Sequence, residues 1–260
     1  MSDAKKYTSK LSGARVLIIG GSSGIGYSVA EASLESGATV IISSSQESRV
    51  NSSIEKLLKT YPSAKDRVSG HACDLSVTTM EQNIERLLEQ TGKIDHIVFT
   101  AGDALSTARI QEATLEKIQK AGMVRFFAPL IVAKFAAKYL SAGPASSLTL
   151  TTGSVSQKPI AGWSVSASYA GGLHSMMRNL AVDLAPIRVN LISPGAVETP
   201  LWDHHMSKEQ LEGFKAEWSK KHTTGQFGQP EDVAEAYLFA MKDKNCTGSV
   251  IDTNGGALLL

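Results

Sequence analysis

The sequence predicts a single α/β domain, built on a parallel sheet of about seven strands with helices on both faces. Seven short apolar segments alternate with helical patterns along the 260 residues. Several of these segments end in glycine, as buried parallel strands do where the chain turns into a helix. The chain is 42% hydrophobic and has no linker-like stretch, so it is long enough for one sizeable core.

The predicted strands and helices follow one another at the spacing of βαβ units. Amphipathic or apolar helical patterns lie between the strands, including 24 to about 36, which ends at Gly37, and the long patterns 115–140 and 169–185. The strand segments, in chain order, are ARVLIIG, TVIISS, VSGHACDL, DHIVFTAG, SSLTLTTG, IRVNLISPG and GSVIDTNGG.

Composition excludes several classes of function. The formal net charge is +1, so no basic excess predicts nucleic-acid binding. The first ten residues lack the apolar core of a signal peptide, and no stretch approaches the ~18 apolar residues of a membrane span. Cys73 and Cys246 are far apart and predict free thiols in a reducing compartment. We therefore expect a cytoplasmic protein without a metal site, and we interpret the adjacent His204 and His205 as exposed residues.

The segment GGSSGIG joins the first strand to the first helix. Glycines let the backbone turn tightly and approach a pyrophosphate, while the helix N-terminus supplies free N–H groups and a positive dipole end. The strand-turn-helix context that this motif requires is present. It predicts a Rossmann-type, doubly wound sheet with a dinucleotide held by Gly20, Ser22, Ser23, Gly24, Ile25 and Gly26.

These motifs, with others along the chain, resemble those of the short-chain dehydrogenase/reductase family. The pattern Gly-x-x-x-Gly-x-Gly is followed by CDL, TAG, PGAVETP and TGSVIDTNGG, so the resemblance covers nearly the whole chain as one domain, 1–260. In that family these segments hold the adenine, the central phosphates and the nicotinamide. The resemblance therefore implies further cofactor contacts at Asp74, Leu75, Thr100, Ala101, Gly102, Tyr169, Pro194, Gly195, Val197 and Thr199.

Cofactor choice depends on the end of the second predicted strand. A carboxylate there would hold the ribose hydroxyls of NAD and repel a 2′-phosphate. This chain has Ser43, Ser44 and Ser45 instead, with Arg49 further on. The alternative interpretation is that the serines only cap the following helix. We expect Ser44 and Ser45 to contact the cofactor and NADP(H) to be preferred.

The resemblance also implies catalytic residues, with two departures. The family uses Ser, Tyr and Lys with a helical Asn, and Ser154 (or Ser156) and Tyr169 match the first two. Leu173 takes the place of the Lys, so no adjacent cation favours the phenolate, and we expect a protonated Tyr169 that donates in reduction only. Arg125 falls at the Asn position; it is either a solvated helix residue or, as we expect, a charge directed into the active site.

A closer resemblance is to an atypical fungal branch of the family, which includes the bifunctional imine reductase/Diels–Alderases of bridged indole alkaloid biosynthesis. The segments RFFAP, GWSV, VFTA and TNGG carry it. It implies an active-site Arg at Arg125 and a loop Trp at Trp163, which is either a lid anchor or a substrate platform. Ile160 stands where that branch has an Asp. We expect Trp202 to contact substrate too, within a lid around 199–224.

The predicted function is NADP(H)-dependent reduction of a C=N or C=O bond in a hydrophobic small molecule. An iminium already carries positive charge, so hydride addition to it needs little acid catalysis. The alternative is a non-redox cofactor-binding protein, or an isomerase or cyclase on the reductase scaffold. The Ala-, Met- and Phe-rich helical patterns predict a homo-oligomer, either a tetramer or a dimer.

Overall fold

The computed structural model describes residues 5–202 and 207–260. Its strands are β1 (Arg15–Ile19), β2 (Thr39–Ser44), β3 (Val68–Ala72), β4 (His96–Phe99), β5 (Ser147–Thr151), β6 (Arg188–Pro194) and β7 (Val250–Thr253). They form one sheet in the order β3-β2-β1-β4-β5-β6-β7, and every neighbouring pair is parallel. The strand order reverses between β1 and β4, which is where doubly wound sheets bind ligands. The predicted Rossmann-type fold is confirmed.

The helices of the described residues connect these strands. They are α1 (Gly24–Glu35), α2 (Glu47–Thr60), α3 (Met80–Thr91), α4 (Leu115–Gly122), α5 (Ala128–Tyr139), α6 (Ser164–Asp183), α7 (Lys208–Ser219) and α8 (Pro230–Lys242). Local sequence explains several starts: the Thr114 side chain caps α4, Ser207 and Gln210 form a capping box on α7, and Pro230 begins α8.

Two apolar cores lie on opposite faces of the sheet. On one face α3, α5 and α6 bury residues such as Ile84, Val132 and Met177. On the other face α1 and α8 pack together and bury Val29 and Tyr237. The central strands β1, β2 and β4 are nearly continuous apolar runs because both of their faces are covered. Among the described residues, every helix is too short or too polar to cross a bilayer.

Two helical predictions differ from the structure, and both involve residues that line the cleft described below. The 115–140 pattern is interrupted by a π-helical turn, Met123–Phe127, between α4 and α5. The 169–185 pattern is part of a longer helix, because α6 begins at Ser164. The intervening SVSAS has weak helix propensity, which concealed this first turn. Tyr169 therefore lies in the second turn of α6 rather than at its start.

Candidate active site

A cleft of about 880 Å³ opens at the switch point of the sheet. It gathers residues from the ends of β1, β2, β4, β5 and β6, together with α4, α6 and α7. All of the residues predicted to bind cofactor or substrate or to act in catalysis line it. These are Gly20, Ser22, Ser23, Gly24, Ile25, Gly26, Ser44, Ser45, Asp74, Leu75, Thr100, Ala101, Gly102, Arg125, Ser154, Trp163, Tyr169, Pro194, Gly195, Val197, Thr199 and Trp202.

The glycine-rich turn has the shape that a pyrophosphate requires. Gly20 adopts a φ of 93°, a left-handed conformation, and a Cβ there would overlap the backbone of Thr100 and Ala101. A Cβ at Gly26 would overlap the Gly20 carbonyl. The N-cap Ser23 makes no side-chain cap hydrogen bond, so the first N–H groups of α1 face the cleft without that partner. The turn therefore fits a dinucleotide.

The β2 end of the cleft is lined by hydroxyls and one cation. Ser22 Oγ donates to Ser44 Oγ at 2.9 Å, and Ser45, Ser48 and Arg49 line the same wall. The helix α2 begins after Gln46 and receives no side-chain cap. The alternative interpretation, in which these serines cap the helix, is therefore wrong. A wall of serines with an arginine can accept an anionic phosphate.

An ion pair lies in the cleft beside the glycine turn. Arg125 Nε lies 3.2 Å from Asp103 Oδ1, and the Arg125 guanidinium also donates to the Asp103 carbonyl oxygen. The side chains are 27% and 35% exposed, so Arg125 is neither freely solvated nor fully enclosed. The guanidinium lies flat on Gly102, where a Cβ would approach its atoms to 2.8 Å.

Burial dominates the protonation of both partners of this pair. It raises the pKa of the Asp103 carboxyl, and Arg125 opposes that rise. It lowers the pKa of the Arg125 guanidinium, and Asp103 opposes that fall. Asp103 therefore offsets part of the desolvation cost of Arg125, and Arg125 helps to keep the Asp103 carboxyl ionised. A polarised, partly desolvated pair of this kind is typical of functional sites.

Tyr169 reaches the cleft wall, but its hydroxyl has another partner. The phenol donates a 2.9 Å hydrogen bond to the backbone carbonyl of Ile118 in α4. Its ring packs against Phe126 and Phe127, with centroids 5.2 and 6.1 Å away. Proton donation by Tyr169 stays a prediction, and it would require this hydrogen bond to break.

The two candidate catalytic serines have different surroundings, and the position of the family's Lys lies in the core. Ser154 begins a short 3₁₀ turn and lines the cleft. The alternative, Ser156, instead shares a 2.9 Å hydrogen bond with His174 Nε2. Leu173 is 3% exposed within the core that includes Met177, so a Lys there would place its stem among apolar side chains.

The substrate end of the cleft is aromatic. Trp202 donates from its indole N–H to the Val197 carbonyl at 2.7 Å and packs on Phe214, whose ring also contacts Trp218. Trp163 packs against this cluster and lines the cleft. The predicted lid, 199–224, includes Trp202, Phe214 and Trp218 together with α7. Positions 203–206, including His204 and His205, lie outside the described residues.

Sequence reasoning missed many cleft residues, and four of them bear on the proposed chemistry. Asp103, Ser166, Ala170 and Trp218 line the cavity. Asp103 directly follows TAG in a loop without a periodic pattern, so no sequence signal identified it as the partner of Arg125. Ser166 and Ala170 were missed because the first turn of α6 was not predicted. No group of three metal-ligating side chains occurs among the residues that the structure describes.

Comparisons with known proteins identify the family of the chain. A model of the SDR-like Rossmann domain matches residues 7–260. The short-chain dehydrogenase/reductase fsr5 of Gibberella fujikuroi is 46% identical over 264 residues, and malC of Malbranchea aurantiaca is 43% identical over 268 residues. Both alignments span all of both chains.

Comparison with solved structures identifies the same family. The MalC reductase/Diels–Alderase of Malbranchea aurantiaca superposes with a TM-score of 0.91 at 44% identity, covering 97% of this chain and 99% of that one. A small-chain dehydrogenase in complex with NADPH gives a TM-score of 0.76 at 27% identity, covering 95% and 99%. The predicted fungal branch is thereby confirmed. The chain belongs to the short-chain dehydrogenase/reductase family of oxidoreductases, whose Rossmann fold binds a nicotinamide cofactor.

Proposed function

We propose that the protein is an NADP(H)-dependent reductase of a C=N bond in a hydrophobic small molecule, with a C=O bond as the second choice. The observation that carries this proposal is the composition of this cleft. A dinucleotide cradle lies at one end, an aromatic pocket lies at the other, and the Arg125–Asp103 pair lies between them. The predicted single domain with its 199–224 lid is part of the same proposal.

The choice of NADP(H) is supported by charge. Arg49 and the hydroxyls of Ser44, Ser45 and Ser48 line the β2 end of the cleft. Along 43–53, the lining side chains are serines and this one arginine, so no carboxylate from that segment faces a 2′-phosphate. Arg can bind a phosphate with two parallel hydrogen bonds. When bound, NADPH supplies the hydride for reduction.

The charged pair supports a C=N substrate over a C=O substrate. Reduction of a ketone delivers a proton to oxygen, whereas an iminium carbon accepts hydride without proton transfer at the reacting atom. The Tyr169 hydroxyl is hydrogen-bonded to the Ile118 carbonyl, whereas the carboxylate of Asp103 lines the cleft. A half-buried carboxylate stabilises a cationic ligand, and Arg125 keeps that carboxylate charged and in place. Ser154 supplies a hydroxyl that can orient the substrate.

The walls around the pair support a hydrophobic substrate. Ile160, Trp163, Trp202 and Trp218 line the far end of the cleft. Burying aromatic surface contributes about 25 cal/mol per Å², and flat rings add stacking contacts with defined geometry. This pocket can therefore hold a large ring system while its one charged pair contacts the polar atom.

The experiment is NADPH consumption by the purified protein with a panel of cyclic imines and matched ketones. Consumption with imines but not with ketones is the expected result. Consumption confined to ketones would overturn the C=N choice but leave the reductase assignment. Because the relative of known structure is named as a reductase/Diels–Alderase, product formed without NADPH consumption would establish a cyclase or isomerase. Tight NADPH binding without any product would establish a non-redox protein.

We further propose a cytoplasmic homo-oligomer, either a tetramer or a dimer. Large apolar side chains are exposed on the outer helices: Leu130 on α5, Val182 on α6 and Phe239 on α8 are 44%, 75% and 47% exposed. Exposed apolar side chains of this size on the outer helices favour contact with other subunits. Cys73 and Cys246 are free thiols, which supports the reducing compartment.

A further inference from the structure

We propose that Tyr169 is a positioning residue, which holds the π-helical turn before α5 so that Arg125 reaches Asp103, and that it is not the proton donor of the reaction. Its kinetic test rests on the proposed reductase function. The proposal assigns a new role to the tyrosine from its contacts in this chain.

The hydroxyl end of Tyr169 is seated in α4. Besides its hydrogen bond to the Ile118 carbonyl, the ring terminus lies against Gly122, where a Cβ would approach the Tyr169 Cζ to 2.6 Å and its hydroxyl oxygen to 2.8 Å. Gly122 is the last residue before the π turn. The phenol therefore fixes the end of α4 at the point where the helical hydrogen-bonding pattern changes.

The face of the Tyr169 ring supports the π turn itself. Phe126 and Phe127 both pack on it, and they contact each other edge to face at 5.7 Å. Phe126 also lies against α6 at Gly172, where a Cβ would approach its ring to 2.7 Å. Three aromatic rings and two glycines thus connect α6 with the turn that carries Arg125.

The π turn determines the direction of Arg125. The N–H of Ala128 donates to the carbonyl of Met123, a spacing of five residues instead of four. One extra residue in a helix rotates the following side chains by roughly 100° relative to a regular helix. Such turns are unfavourable in isolation and often occur at functional sites. Here Arg125, at the centre of the turn, is directed onto Gly102 and Asp103.

Tyr169→Phe tests the proposal, because it removes only the hydroxyl and keeps the ring contacts. Loss of one neutral hydrogen bond should lower kcat by about 3- to 10-fold, whereas loss of a proton donor should lower it by about 10²- to 10⁴-fold. The matched control is Tyr27→Phe, since the buried Tyr27 hydroxyl has no partner among the described residues. That variant should keep the unmodified kcat.

A double-mutant cycle with Arg125→Ala separates the two roles. If Tyr169 acts through Arg125, Tyr169→Phe should change kcat by less than about 2-fold once Arg125 is absent, and the pH dependence of kcat should keep its shape in the single variant. A full additional loss in the Arg125→Ala background would overturn the proposal. If a decrease of kcat at alkaline pH disappeared in Tyr169→Phe, that result would also overturn the proposal.

A second measurement does not depend on turnover. Hydrogen–deuterium exchange of the peptide covering 118–128 should be faster in Tyr169→Phe than in the unmodified protein, and unchanged in Tyr27→Phe. Equal exchange in all three proteins would show that the hydroxyl does not hold the turn. If no imine or ketone is reduced, the proposed function fails, while this exchange result still decides whether Tyr169 positions the turn.

Discussion

Arg125→Ala is the substitution that most directly tests the proposed chemistry. It removes the guanidinium that lies 3.2 Å from Asp103 Oδ1 in a pair only 27% and 35% exposed. Removing one preorganised electrostatic group from such a site costs about 10²- to 10³-fold in kcat. Because solvent still reaches the pair, we expect the lower end, about 10²-fold.

The consequence for Asp103 can be worked out from the same pair. Burial raises the pKa of its carboxyl and Arg125 opposes that rise, so Arg125→Ala should raise the pKa further. The carboxylate is the form that stabilises an iminium. The residual activity of Arg125→Ala should therefore decrease at mildly acidic pH, where the unmodified protein keeps its rate.

Steady-state kinetics of Arg125→Ala across pH, together with calorimetry of its NADPH binding, test these expectations. Arg125→Lys keeps the charge but not the planar fork, so its kcat should lie between those of Arg125→Ala and the unmodified protein. The dissociation constant for NADPH should change much less than kcat, because the pair contacts Gly102 but not the Gly20–Gly26 turn. Full activity in Arg125→Ala would refute the reasoning, and so would an equal loss of NADPH affinity and turnover.

Three further predictions concern the cofactor, the assembly and the pH range. Ser44→Asp should reverse a preference for NADPH over NADH in calorimetry, and tighter NADH binding by the unmodified protein would contradict our choice of cofactor. Light scattering should give a multiple of 27.6 kDa, and a monomer at working concentration would be evidence against the exposed helix faces as an interface. Burial and the nearby Arg188 lower the pKa of His96 from 6.5 to about 4, so the unfolded chain takes up the proton first. Stability should fall by about 2 kcal/mol between pH 7.5 and pH 5, and urea unfolding of His96→Gln should show less of this loss.

The fold could be predicted almost entirely from local sequence. The central strands β1, β2 and β4 are largely apolar runs because both of their faces are covered, and TVIISS matches β2 residue for residue. The dinucleotide-binding turn could also be predicted, since the positive φ of Gly20 and the close approach at Gly26 can be met only by glycine. These features are encoded within a few neighbouring residues, so no tertiary information was needed to find them.

Side-chain contacts that depend on tertiary structure were harder to predict from the sequence. The sequence predicted that Arg125 is directed into the active site, but its ion-pair partner lies 22 residues away in a loop. Such a loop carries no periodic pattern, so the sequence could not select Asp103 from the other acidic residues. Similarly, Trp218 was recognised only as part of a lid, and its contact with Phe214 depends on how α7 packs over the cleft.

The interpretation of Tyr169 depended on two features that a sequence pattern represents poorly. The start of α6 is made of small residues, and the π turn changes which side chains of the preceding helix face α6. Together they bring the phenol to Ile118 rather than leaving it free in the cleft. A site whose tyrosine is occupied in this way, and whose main charges are a carboxylate and its guanidinium partner, is poorly equipped to protonate an alkoxide. It is well equipped to hold a substrate that is already a cation, and this is the physical reason for preferring an iminium over a ketone.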